Sequence, residues 1–157
     1  MLRQILNKHN LINSIQEQLD VILQDRYSQW SGEQKFCDPM PVITHGAPGC
    51  YQIFYKGQMV YFGTTNNSSG KKTYGLHDRI QKKRTILIIH FNNPDKIRSL
   101  GESSMKKALE MGYDMHHSNW RYKFWKLPVD MPLVIEAVAI RQLKAQGYCV
   151  LNSDRCL

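Results

Sequence analysis

The 157-residue chain has four cysteines, Cys37, Cys50, Cys149 and Cys156, and no C-x-x-C pair among them. That lack removes the ligand spacing of zinc ribbons and of thioredoxin-like redox motifs. A zinc site built on Cys37 and His45 has only two evident donors, and His116-His117 has no third ligand at metal spacing. Long apolar runs are also missing. Nothing approaches the roughly 18 residues a bilayer-spanning helix requires, so no membrane span is expected. The opening stretch MLRQILNKHNLINSI is interrupted by Asn, Lys and His, which argues against a signal peptide. A cytoplasmic chain with reduced thiols is the expectation, with Cys50 and Cys149 packing as small apolar residues.

Acid is scarce, with 13 Asp and Glu against 21 Lys and Arg for a formal charge of +8. The imbalance is not spread evenly. Residues 1–47 carry four basic and five acidic side chains, whereas residues 48–157 carry 17 and eight, a net −1 against +9. A basic excess confined to one part points to a polyanionic partner for that part, with a solvated basic surface as the plainer alternative.

Residues 2–24 carry Ile5, Ile12, Ile15, Leu19 and Ile22 on one helical face, and Ser14-Ile-Gln-Glu17 has the form of a capping box. This N-terminal helix suits docking on the core, dimerisation or contact with nucleic acid. Residues 26–49 are a connector punctuated by Asp38-Pro39 and Ala47-Pro48-Gly49, with a short edge strand expected at 41–44.

Residues 50–55 and 58–62 are aromatic and branched, with Lys56-Gly57 between them, and so predict a two-stranded hairpin. Tyr51, Ile53 and Tyr55 share one face of the first strand. A polar loop, TTNNSSGKKTYG, follows. A helix from about 76 to 84 then carries His77, Arg79, Lys82, Lys83 and Arg84, with 79, 82 and 83 expected on a common exposed face. Six of the residues from 71 to 84 are Lys or Arg, Lys71 and Lys72 included, and only Asp78 opposes them. That density after a flexible loop reads as a phosphate-contacting surface.

Residues 86–91 (ILIIHF) are a strand or the end of that helix, since periodicity alone does not separate the two. GESSMKKALEMG predicts a short helix capped by Ser103 or Ser104 and ended near Gly112. NWRYKFWK alternates Trp120, Tyr122 and Phe124 against Arg121, Lys123 and Trp125, a third strand whose second face turns basic side chains and Trp125 outward. Asp130-Met-Pro132 opens a helix that is apolar nearly all round, and Gly147 ends it. Inside its apolar surface sits Glu136. A buried carboxylate costs several kcal/mol unless a cation or hydrogen bonds compensate it, so Glu136 is either paired, for instance with Arg141, or a metal ligand. YCVLN closes the chain as a last short strand ending in Asn152.

The chain thus offers Gly49-Cys50-Tyr51, Tyr61-Phe62-Gly63, Arg79 in LHDRI, Glu136 in VIEAVAIRQL, and Asn152, in that order. This ordered set, over about 49–152, resembles the GIY-YIG nuclease family. The resemblance implies an α+β fold with a small three-stranded antiparallel sheet flanked by helices. Residues 1–47 then form an N-terminal helix and connector, and 48–157 the nuclease-like domain with an insertion around 90–118. It further implies a DNA endonuclease using one Mg²⁺ or Mn²⁺ held by Glu136, whose hard oxygen suits such an ion. Arg79 would fork onto non-bridging phosphate oxygens, and Tyr51 would activate or orient the attacking water. Lys72 would lower the Tyr51 pKa from its usual value of about 10. Tyr61 would complete the water and phosphate network, and Asn152 would brace a catalytic side chain or the hairpin. Gly63 would let backbone approach a phosphate, and Lys71, Lys72, His77, Lys82, Lys83, Arg84, Arg121 and Lys123 would line the DNA.

Three departures accompany the match. Cys50 and Phe62 stand where the family has isoleucine. The loop from 64 to 78 is longer than in compact members. Lys83 occupies the position, one turn after Arg79, where the family often has His or Tyr, which leaves the general base open. The layout resembles the family's short restriction endonucleases, with possible homodimerisation through the N-terminal helix. A phage or toxin nuclease of little sequence preference, a non-catalytic nucleic-acid-binding module, and an RNA substrate are the alternatives.

Overall fold

The computed structural model describes residues 30–65, 75–100, 102–126, 140–141 and 151. The expected helix at 2–24, Lys71, Lys72, Glu136 and Asn152 lie outside the described residues. The chain divides into two compact units, residues 1–30 and 31–157, so connector residues from Ser31 onward belong with the second unit.

The second unit is α+β. Its described residues form a four-stranded antiparallel sheet in the order β1-β4-β2-β3, built from β1 (Gln34–Lys35), β2 (Gly49–Tyr55), β3 (Gln58–Thr65) and β4 (Trp120–Lys126). Three strands are those expected from their alternation. The fourth, β1, is a two-residue strand paired with Tyr122 and Arg121 of β4. It replaces the expected edge strand at 41–44, which is irregular. Two prolines in residues 39–41 cannot donate to a ladder, whereas Gln34 and Lys35 carry free N–H groups.

The hairpin turns through Lys56 and Gly57 with φ of 47° and 83°. Two positive values in succession make the tight turn that matches the twist of the flanking strands. From that turn, uninterrupted pairing would set Tyr61 opposite Gln52. The observed register runs Tyr55–Gln58, Phe54–Met59, Ile53–Tyr61 and Tyr51–Gly63, so Val60 is an extra residue on β3. Such a bulge shifts every later side chain of β3 to the other face. The backbone oxygen of Val60 accepts a hydrogen bond from the Leu151 N–H at 2.6 Å, which satisfies a group the bulge removes from the ladder.

Three helices cover the face that carries Tyr51, Ile53, Tyr122 and Trp120: α1 (Leu76–Ile89), α2 (Pro94–Ser99) and α3 (Ser103–Glu110). Helix α1 buries Leu76, Ile80, Lys83, Ile86 and Leu87, a spacing of three and four. It absorbs the apolar run 86–89, which settles that stretch as helix. Asn93 caps α2 by accepting from the Lys96 N–H at 3.1 Å, with Pro94 in the first turn. Helix α3 begins one residue earlier than its serines suggest. Glu102 is the cap residue, Ser103 and Ser104 are already helical, and no side chain caps the end. Its other end closes on Gly112, at φ 80°, with the Tyr113 N–H reaching the Ala108 carbonyl.

The opposite face of the sheet is not simply polar. Cys50, Phe62 and Trp125 are buried there, while Arg121 and Lys123 are half-buried. Trp125 therefore does not turn outward. Ile140, from the expected apolar helix, is helical and fully buried. No helix among the described residues is long and apolar enough to cross a membrane.

Candidate functional site

The bulge at Val60 decides how the two tyrosines of the triplets meet. It puts Tyr61 opposite Ile53, on the face that carries Tyr51, two residue pairs along the ladder. Gly63 stands directly opposite Tyr51. A Cβ there would collide with both tyrosine rings, so the missing side chain is what allows the rings to close over the strand. The rings lie 5.5 Å apart between centroids, and the Tyr51 hydroxyl donates to the Tyr61 hydroxyl at 3.4 Å.

Above the pair comes α1. Its face toward the sheet presents Lys83, which is 1% exposed and whose Nζ donates to the Tyr51 hydroxyl at 3.3 Å. The same Nζ lies 5.1 Å from the Tyr51 ring centroid and 4.9 Å from that of Tyr61, within cation–π range of both. A buried ammonium needs a counter-charge. It finds one in Glu102, at the start of α3, whose Oε2 accepts from Nζ at 3.0 Å. The four groups form one connected network in which every member has a partner.

Electrostatics separates the two phenols. Burial, reinforced by the neighbouring Tyr51, pushes the Tyr61 pKa far above the ordinary phenol value, with only Lys83 pulling it down among the nearby charges that include Glu102. Tyr61 is thereby held as a neutral hydroxyl. Tyr51 is the phenol that accepts a hydrogen bond from Lys83.

Arg79 lies one turn before Lys83 on α1 and so on the same side of the helix. It is half-buried, and among the described residues its guanidinium has no hydrogen-bond or ion-pair partner. Lys82 is exposed while Lys83 is buried, so positions 79, 82 and 83 do not make one solvent-facing stripe. The α-helical period of 3.6 puts 79 and 83 on one side, and 82 falls about 100° from 83. Arg84 is half-buried and donates its Nε to the Phe36 carbonyl at 2.9 Å, pinning the connector. Arg121 spends one terminal nitrogen on the carbonyls of Ser118 and Trp120. Lys123 lies with its Nζ 5.4 Å over the Phe54 ring, on the sheet face away from the tyrosines. Lys83, Arg84, Arg121 and Lys123 thus carry packing roles that a basic patch read from sequence does not reveal. The His77 ring, at the start of α1, lies 4.3 Å from that of His45 and is tilted 55° to it.

Glu102 was not visible from the sequence. It is one carboxylate ahead of a helix, and nothing in its neighbourhood distinguishes it from a solvated cap residue. No family model, no curated protein and no solved structure matches this chain.

Proposed function

We propose that the chain is a divalent-metal-dependent DNA endonuclease of the GIY-YIG type, with a site-specific, restriction-like mode of action. One observation carries the reading. The tyrosines of the two triplets, ten residues apart in the chain, meet hydroxyl to hydroxyl under a buried lysine from the helix that also bears Arg79. A hairpin that used its tyrosines as core alone would need neither the glycine that lets them close nor the cation above them.

In this mechanism Tyr51, as phenolate, takes a proton from the attacking water, and Lys83 stabilises the negative charge of that phenolate. Water oxygen bonds to phosphorus as the bond to the 3′-oxygen breaks; the 3′-oxygen takes a proton from solvent, leaving a 5′-phosphate and a 3′-hydroxyl. Lys83 is held in the Glu102 ion pair, which leaves the base role to Tyr51. Tyr61 keeps its proton and offers it as a hydrogen bond to the phenolate or to a phosphate oxygen. Arg79, whose guanidinium has no partner among the described residues, supplies two parallel N–H groups to the non-bridging oxygens, where charge builds in the transition state. A metal ion held by Glu136 would supply Lewis-acid polarisation of the phosphoryl group. Asn152 would brace this arrangement, and Lys71, Lys72 and Lys82 would contact the backbone of the DNA. Two chains working together would account for double-strand cleavage, since each contributes one set of these groups.

The test is plasmid cleavage by purified protein. The expected result is nicking or cutting with Mg²⁺ or Mn²⁺, arrest by EDTA, and loss of cleavage with retained DNA binding in Glu136→Ala. Full activity of that variant overturns the assignment. Discrete product bands support site specificity, and a smear supports a nuclease of little preference. DNA binding without cleavage under all metal conditions supports the binding module.

A further inference from the structure

The start of α1 carries a second polar cluster, separate from the tyrosine network. The loop before β2 folds back on the helix. The Ala47 N–H bonds to the Thr44 carbonyl at 3.0 Å, Gly46 adopts φ 81°, and the Leu76 N–H bonds to the Ala47 carbonyl at 2.8 Å. Gly75 admits this approach, because a Cβ there would stand 2.6 Å from the Gly46 backbone. The effect is to carry His45, an exposed loop residue, onto the first turn of α1. Its ring lies 4.3 Å from the ring of His77, and His45, His77 and Asp78 each bring one donor atom to a place where all three lie within 4.8 Å of one another.

The hydrogen bonding within this cluster is incomplete. Nδ1 of His77 and Oδ2 of Asp78 are both out of contact with solvent, and neither has a hydrogen-bond partner among the described residues. The Nδ1 of His77 is 4.0 Å from Oδ1 of Asp78, too far for a hydrogen bond. Buried polar atoms are rarely left unpaired, and a pair of them beside a third donor calls for a missing partner.

We propose that His45, His77 and Asp78 form a three-ligand site for a divalent transition metal of the zinc class. Two imidazoles and one carboxylate are the donor set such ions select over Mg²⁺, which takes oxygen. Donors at zinc distances of about 2.0–2.2 Å stand about 3.3 Å apart in a tetrahedron, so closing the site takes side-chain movement of up to about 1.5 Å, within reach of the exposed His45 ring. Three protein ligands leave a fourth position for water on the exposed side of His45. The Asp78 carboxylate also offsets the positive end of the helix, which by itself disfavours a cation. The metal clamps the 44–47 loop to α1 and thereby fixes the helix that carries Arg79 and Lys83. The site stands apart from the Glu136 ion, and the inference does not depend on the nuclease reading.

Calorimetric titration of the reduced full-length protein with Zn²⁺ tests it, with Co²⁺ as the spectroscopic probe. The expected result is one site whose affinity falls more than about tenfold in His45→Ala and in Asp78→Asn, with loss of the visible Co²⁺ absorption bands of a site containing imidazole. His45 is exposed, so its variant keeps the fold, which circular dichroism verifies. Glu136→Gln retains the site whether or not it retains cleavage, which separates this inference from the function proposed above. Zn²⁺ binding unchanged in both His45→Ala and Asp78→Asn overturns the proposal. So does binding that disappears only in His116→Ala/His117→Ala or on replacement of the cysteines.

Discussion

Two polar clusters share helix α1, about 8 Å apart along its axis, and they are opposite in kind. At Lys83 the groups are buried or half-buried and every one is satisfied, with the ammonium shared between the Tyr51 hydroxyl and Glu102. At His77 and Asp78 two shielded atoms lack partners among the described residues, although three donors converge. A complete network holds its members in one geometry and gains little from a ligand. An incomplete one gains stability when a ligand arrives. The first arrangement is suited to holding two phenols in a fixed geometry, the second to taking up a cation.

The comparison breaks most forcefully at Lys83. Lys83→Ala removes the cation, leaves Glu102 without its partner and opens space beside two tyrosines. Loss of about 3–5 kcal/mol is expected for a disrupted buried pair, toward the lower end because Glu102 retains some solvent access. Urea denaturation measures it, and an unchanged midpoint would show that the ion pair contributes nothing. Gly63→Ala comes next. Its methyl group must displace the tyrosine rings, at about 1–3 kcal/mol for overpacking, and cleavage is expected to fall while DNA binding is kept. Equal losses of binding and cleavage would argue that the glycine serves the backbone contact alone.

Tyr61→Phe sharpens the contrast by pH. The folded pKa of Tyr61 lies above its unfolded value of about 10. Its stabilisation is therefore complete below pH 10 and lost as pH rises beyond that, because the unfolded chain releases the proton first. Wild-type protein should lose stability above pH 10 more steeply than Tyr61→Phe, and parallel alkaline unfolding curves would contradict the raised pKa. The smallest effect is expected at His45. With metal removed, His45→Ala should change stability by no more than about 0.5 kcal/mol, as for an exposed residue. With Zn²⁺ present it should lose the rise in Tm that the wild type shows.

Much of this architecture is legible in the residues. Lys56-Gly57 announces the hairpin, the alternation from Trp120 announces a strand, and the apolar spacing from Leu76 announces α1. The candidate site is legible in part. Tyr51, Tyr61 and Arg79 stand out by type and order, whereas Lys83 reads as one more basic residue on an exposed helix. Its burial comes from a tertiary fact, the carboxylate of Glu102 arriving from another helix. A hydrophobic pattern leaves a lysine solvated unless its partner is known.

The sequence by itself determined that two strands meet at a tight turn and that a basic helix follows them, because turn chemistry and side-chain periodicity are local properties. It also placed a tyrosine in each strand. Only the tertiary structure decided that the tyrosines face each other. With strict alternation from the turn, Tyr61 would lie on the far side of the sheet from Tyr51. One additional residue at Val60 reverses that, its carbonyl met by Leu151 from 91 positions along the chain. A period of two carries no mark of an inserted residue, so the side on which Tyr61 falls is settled by packing, at a distance no local pattern reaches.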